Sequence, residues 1–121
     1  MGLFRRLFSR AGADEEVAPI DVEAKRAQLD ELSSALTALT RRMRDAEFPQ
    51  ENPGWQGRIG DLVRARTEAD ALGAAPEFDR QDLYDYGLTV RPLYRGEPPE
   101  EYRALAAENA RVVQALDALL D

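Results

Sequence analysis

A chain of 121 residues with 44% apolar content and a formal charge of −7 suits one compact domain, burying about two-thirds of the surface its unfolded chain exposes. It contains no cysteine and no histidine, which removes disulfides, thiolate nucleophiles, sulfur-built zinc sites, the commonest general base and the commonest metal ligand. No catalytic residue and no cofactor is assigned from it.

Residues 1–10, Met-Gly-Leu-Phe-Arg-Arg-Leu-Phe-Ser-Arg, are the part of the chain that points at a task. Wound as a helix, Leu3, Phe4, Leu7 and Phe8 fall within an arc of roughly 140° at 100° per residue, with Arg5, Arg6, Ser9 and Arg10 opposite. Paired aromatics under a cationic face suit an anionic membrane boundary, or a hydrophobic groove with an acidic rim on a partner protein. The apolar residues come in pairs split by arginines, so the segment is not a secretory signal. Arg6 stands where a myristoylation motif needs Ser or Thr. No run of about 20 apolar residues occurs that could span a membrane. The expected location is the cytoplasm, with peripheral attachment to the inner face of the plasma membrane.

Residues 11–19, Ala-Gly-Ala-Asp-Glu-Glu-Val-Ala-Pro, are small, acidic and proline-ended, and read as a flexible linker. From Ala11 onward thirteen bases face 23 acids, so a basic head sits on an acidic body. Such a body disfavours nucleic acid, since each phosphate contact needs a Lys or Arg.

Residues 20–121 form the single expected domain. From Ile20 to about Glu47, Val22, Leu29, Leu32, Leu36, Leu39, Met43 and Ala46 keep the alternating three-four spacing of a helix. Lys25, the only lysine, interrupts the stripe. Asp21 is the expected N-cap, and Phe48-Pro49 with Asn52-Pro53-Gly54 the expected stop. A second, shorter helix is expected from about Gln56 to Leu72, with Ile59, Leu62, Val63, Ala69 and Leu72 inward and Gly73 as C-terminal cap.

The stretch 76–99 is irregular and aromatic, holding Phe78, Tyr84, Tyr86 and Tyr94. Asp79 would cap a two-turn helix through Tyr86, stopped by Gly87, and Leu88-Thr89-Val90-Arg91-Pro92 reads as extended. The last helix opens at Pro98-Pro99-Glu100-Glu101. In it Tyr102, Leu105, Asn109, Val112, Leu116 and Leu119 make the stripe, widened by Ala106, Val113 and Leu120. Wide apolar faces favour a helical bundle over a narrow two-stranded coiled coil. The expected fold is all-α: two long helices, one shorter helix and the irregular aromatic-rich connection. So thin a core makes a homodimer a real option.

Four further features carry candidate sites. Tyr84, Tyr86 and Tyr94 with Arg91 and Arg95 offer residue types common at binding hot spots, and otherwise make a lid over the bundle. Asp79, Asp82 and Asp85 recur every three residues and would give Mg²⁺ or Ca²⁺ oxygen ligands; the plainer reading is a cap and a solvated face. Asn109 at a core position can fix oligomeric register, or bond a neighbouring helix or loop. Trp55-Gln56-Gly57 resembles the Trp-x-Gly tripeptide of small secreted helical hairpins, which implies a turn there. The chain departs from that pattern in its short second helix, in its arginine-rich start and in Ala106, where an acid should follow Tyr102 by four residues. The Glu-x-x-Glu pairs of the all-α nucleotide pyrophosphohydrolases have no helical copy here, since Glu97-Pro98-Pro99-Glu100 lies in a turn. The expected function is a non-catalytic adaptor or scaffold, attached through residues 1–10 and binding a protein partner. The alternative is a soluble interaction module whose first residues dock in a groove on another protein, and a remote one is an enzyme that depends on an oxygen-ligated metal.

Overall fold

The computed structural model describes residues 19–121. Residues 1–18, with the amphipathic segment and nearly all of the linker, lie outside the described residues. Among the described residues there are four α-helices and no strand: α1 (Val22–Met43), α2 (Pro53–Ala74), α3 (Arg80–Gly87) and α4 (Ala106–Leu120), with a 3₁₀ segment Glu100–Leu105 leading into α4.

Asp21 starts α1 by accepting a hydrogen bond from the Ala24 N–H at 3.1 Å. The helix ends at Met43, four residues before the expected Glu47, because side chains take over its last carbonyls. The Met43 oxygen accepts from the Gln50 amide at 2.8 Å and from the Trp55 indole N–H at 2.9 Å, which releases the chain into tight turns. α2 differs more from expectation. At 22 residues it equals α1, because Asn52-Pro53 starts it and does not merely stop α1. The Asn52 side chain accepts from Gly54 and Trp55 N–H groups at 2.8 and 3.2 Å, and Pro53 takes the first turn, where no N–H is needed.

α1 is the central helix, packed against α2 on one side and α4 on the other, both antiparallel to it. Leu32, Leu36, Leu39 and Met43 are fully buried between them, each stabilising the fold by roughly 1.5–3 kcal/mol relative to exposure. The connection 75–99 fills the position a fourth helix would take, with Phe78, Leu83, Tyr86, Val90 and Leu93 joining the same core. Leu88 is not extended as expected: it is the C-cap of α3, and with Thr89 it forms a turn closed by bonds to the Tyr84 and Tyr86 carbonyls. Gly87 lets α3 pack closely on the end of α4: a Cβ there would lie 2.7 Å from the Leu120 methyl carbons, which would have to turn aside.

At the near end of the bundle, where α1 begins and α2 and α4 finish, two adjacent cations close both neighbours. Lys25 Nζ donates to the Leu119 and Ala118 carbonyls at 3.0 and 3.4 Å, and Arg26 donates to those of Gly73, Ala75 and Pro76. Each places positive charge on the negative pole of a helix. Lys25 therefore interrupts the apolar stripe because it is the C-terminal cap of α4.

Candidate partner groove

Residues Leu3, Phe4, Arg5, Arg6, Leu7, Phe8 and Arg10 lie outside the described residues. Of the Tyr/Arg group, Tyr86 is a correction: it is buried, and its hydroxyl donates to the Ala65 carbonyl at 2.7 Å. Burial, then the negative charges of Glu68 and Asp70, holds that phenol well above its ordinary pKa. Tyr84 is half exposed on α3, whereas Tyr94 turns onto Tyr102, ring centroids 6.4 Å apart. Arg95 pairs with Asp117 at 3.3 Å, and Arg91 is exposed. These five do not make one surface, because α3 sits at the near end and Tyr94 packs toward the other.

The aspartates serve α3. Asp79 accepts from the Asp82 N–H and Asp82 from the Asp79 N–H, both at 2.9 Å, and Asp85 accepts from the Gln81 amide at 2.8 Å. Among the described residues no cluster of three or more His, Cys, Asp or Glu is arranged to hold a metal ion. Asn109 uses its amide within the chain: its oxygen accepts from the Leu93 N–H at 2.8 Å and its nitrogen donates to the Tyr94 carbonyl at 3.0 Å. Its described bonds fasten the connection to α4, the loop role and not the oligomer-register one.

What the structure assembles instead lies at the far end. Phe48 stacks on Trp55 at 5.3 Å, Trp55 meets Tyr102 at 5.9 Å, and Tyr102 meets Tyr94. Four rings from the α1–α2 turn, the start of α2, the 3₁₀ segment and the connection thus form one continuous row. A groove of about 610 Å³ opens beside them, lined by Phe48, Trp55 and Tyr102, with Glu47 and Glu101 at its rim. Arg42 stacks over Phe48 at 5.0 Å and pairs with Glu47 at 3.0 Å, so the site already shows its chemistry: a guanidinium against an aromatic face beside a carboxylate. Glu101 is exposed and makes no ion pair among the described residues.

This groove is not marked by any one stretch of sequence, because its rings come from separate parts of the chain. The available signal was Phe48 and Trp55 flanking the Asn-Pro-Gly turn. Trp55 itself sits inside the first turn of α2, not in a loop between helices. Comparison with family models, with curated proteins and with solved structures gives no match.

Proposed function

We propose that this chain is a non-catalytic adaptor that attaches weakly to an anionic membrane surface through residues 1–10 and presents its folded body to a protein partner. The observation that carries the reading is the separation of two unlike binding elements. The chain leaves the amphipathic segment and enters the bundle at the near end, and the aromatic groove lies at the far end. The 22 residues of α1 put about 33 Å between them, at 1.5 Å per residue. A molecule tethered through its near end would therefore leave the far-end groove outside the attachment and free for a partner.

The magnitudes suit reversible attachment. Each arginine near an anionic surface contributes about 1 kcal/mol, and partial burial of Leu3, Phe4, Leu7 and Phe8 adds several more. The natural surface is the cytoplasmic leaflet, which carries the anionic lipids. Among the described residues no helix is long and apolar enough to cross a membrane, so attachment in this reading rests on the first ten residues.

Co-sedimentation with phosphatidylserine-containing and phosphatidylcholine-only vesicles tests this. The full chain should pellet only with the anionic vesicles and be released by salt, while a Leu7→Asp, Phe8→Asp variant stays in the supernatant. If the full chain fails to pellet with either vesicle, membrane attachment is wrong and residues 1–10 become a protein-docking peptide.

A further inference from the structure

We infer that residues 3–10 have a docking groove on their own body, formed by the first turns of α1 and the last turns of α2. This depends on the reading of residues 1–10 as a ligand in their own right, and it adds what holds them when no membrane is present.

The groove has a volume of about 500 Å³ and lies at the near end. Its buried lining is apolar, with Leu29, Ala69 and the partly buried Gly73, and exposed Ala27, Glu23, Asp30 and Asp70 stand around it. Small lining residues let the bulky Leu and Phe side chains of a docked segment approach the α1 and α2 backbones. Asp30 and Asp70, with Glu23 shared with Arg26, offer negative charge that complements Arg5, Arg6 and Arg10. Arg26, the cation among the groove's lining residues, does not oppose this. Its guanidinium is committed to the carbonyls of Gly73, Ala75 and Pro76, to Glu23 at 3.4 Å and to the ring of Phe78. Asp30 and Asp70 are exposed and make no ion pair among the described residues.

Reach selects this groove over the aromatic one. Residues 11–18 are eight residues and span at most about 27 Å when fully extended. Glu23 to Asp30 covers only the first two turns of α1, about 10 Å of helix, immediately beside the end of the linker. The aromatic groove lies about 33 Å away along α1, so a segment docked there would need the linker held almost fully extended, at a large cost in chain entropy. A tether this short gives an effective concentration in the millimolar range, so even a weak docked contact is populated. An anionic surface would then have to compete with Asp30 and Asp70 for the same arginines.

The chain lacks cysteine, so Ser9→Cys carries a single nitroxide label on the polar side of the segment. The expected result is paramagnetic broadening of the Ala27, Asp30, Ala69 and Asp70 amides that is unchanged on tenfold dilution. Asp30→Asn with Asp70→Asn, which removes charge and keeps side-chain shape, should abolish most of that broadening and strengthen binding to phosphatidylserine vesicles several-fold. Broadening that centres on Phe48 and Trp55, that grows with protein concentration, or that is absent from the bundle overturns the proposal. Broadening at the α1–α2 groove in a chain that never pellets with vesicles supports the docking and refutes only the membrane reading.

Discussion

Asn109 and Tyr86 are polar side chains in an apolar core, and each secures the aromatic connection to a different helix: Asn109 to α4 through Leu93 and Tyr94, Tyr86 to α2 through Ala65. A buried donor or acceptor left without its partner costs about 1–3 kcal/mol, so such residues fix one arrangement of the connection against others of similar apolar burial. Tyr86 also makes stability depend on alkaline pH. Its folded-state pKa lies above the value of about 10 that an unfolded tyrosine shows. The folded state therefore keeps its proton where the unfolded state loses it. The contribution is fully present below about pH 10 and declines as the pH rises toward the folded-state value. Tyr86→Phe should be less stable than the natural chain at pH 7 by about 0.5–1.5 kcal/mol. That gap should narrow above pH 10, because only the natural chain has this phenol to titrate. Urea midpoints at pH 7 and pH 10.5 measure both values; a gap that widens would show that the tyrosine is not held protonated.

At the scale of elements, α1, the α3 start and the apolar stripe of α4 were legible because their signals are periodic or local: three-four spacing, Asp21 and Asp79 as caps, acids in first turns. α2 was legible in position but not in length. Asn-Pro-Gly carries the marks of both a helix stop and a helix start, and Gly57 and Gly60 lower the helical preference of the segment after it. Tertiary packing decides the matter, since Trp55, Ile59 and Leu62 bury against α1 and extend the helix through both glycines. The functions of Lys25, Arg26 and Asn109 were hidden for a different reason. Their partners lie 47 or more residues away for Lys25 and Arg26, and on an irregular connection for Asn109. The aromatic groove escaped notice likewise, because its rings come from four separate parts of the chain. The two glycines yield a prediction at this scale. A Cβ at Gly57 or Gly60 meets nothing within 4 Å, so alanine there adds helix preference without a clash. Each of Gly57→Ala and Gly60→Ala should stabilise the fold by about 0.5–1 kcal/mol, read as a raised thermal midpoint, and the two gains should be nearly additive. A loss at either position would mean the glycine serves a contact that the isolated bundle does not show.

The whole molecule is polarised along α1, and that polarity converts the proposed attachment into a geometric expectation. Near-end features are the entry of the amphipathic segment, the Lys25 and Arg26 caps and the carboxylates of the α1–α2 groove; the far end holds the row of four rings. Trp55 is the chain's single tryptophan and belongs to that far end, so its fluorescence reports the distance of the groove from any surface the chain binds. If residues 1–10 make the attachment and the body stands upright on its linker, about 33 Å of α1 separates Trp55 from the end of the bundle where that linker joins. Brominated lipids in phosphatidylserine vesicles should then leave Trp55 emission nearly unchanged even when all the protein is bound. A Phe8→Trp, Trp55→Phe double variant should be quenched strongly under the same conditions, because its indole sits in the segment that enters the lipid. The pair of measurements separates two arrangements that pelleting alone cannot. Quenching of Trp55 in the natural chain would mean that the aromatic groove itself meets the bilayer, and the partner site would have to be sought elsewhere on the bundle. Quenching confined to the Trp at position 8 leaves the groove facing away from the membrane, with its carboxylate rim open to a cationic, apolar segment of a partner.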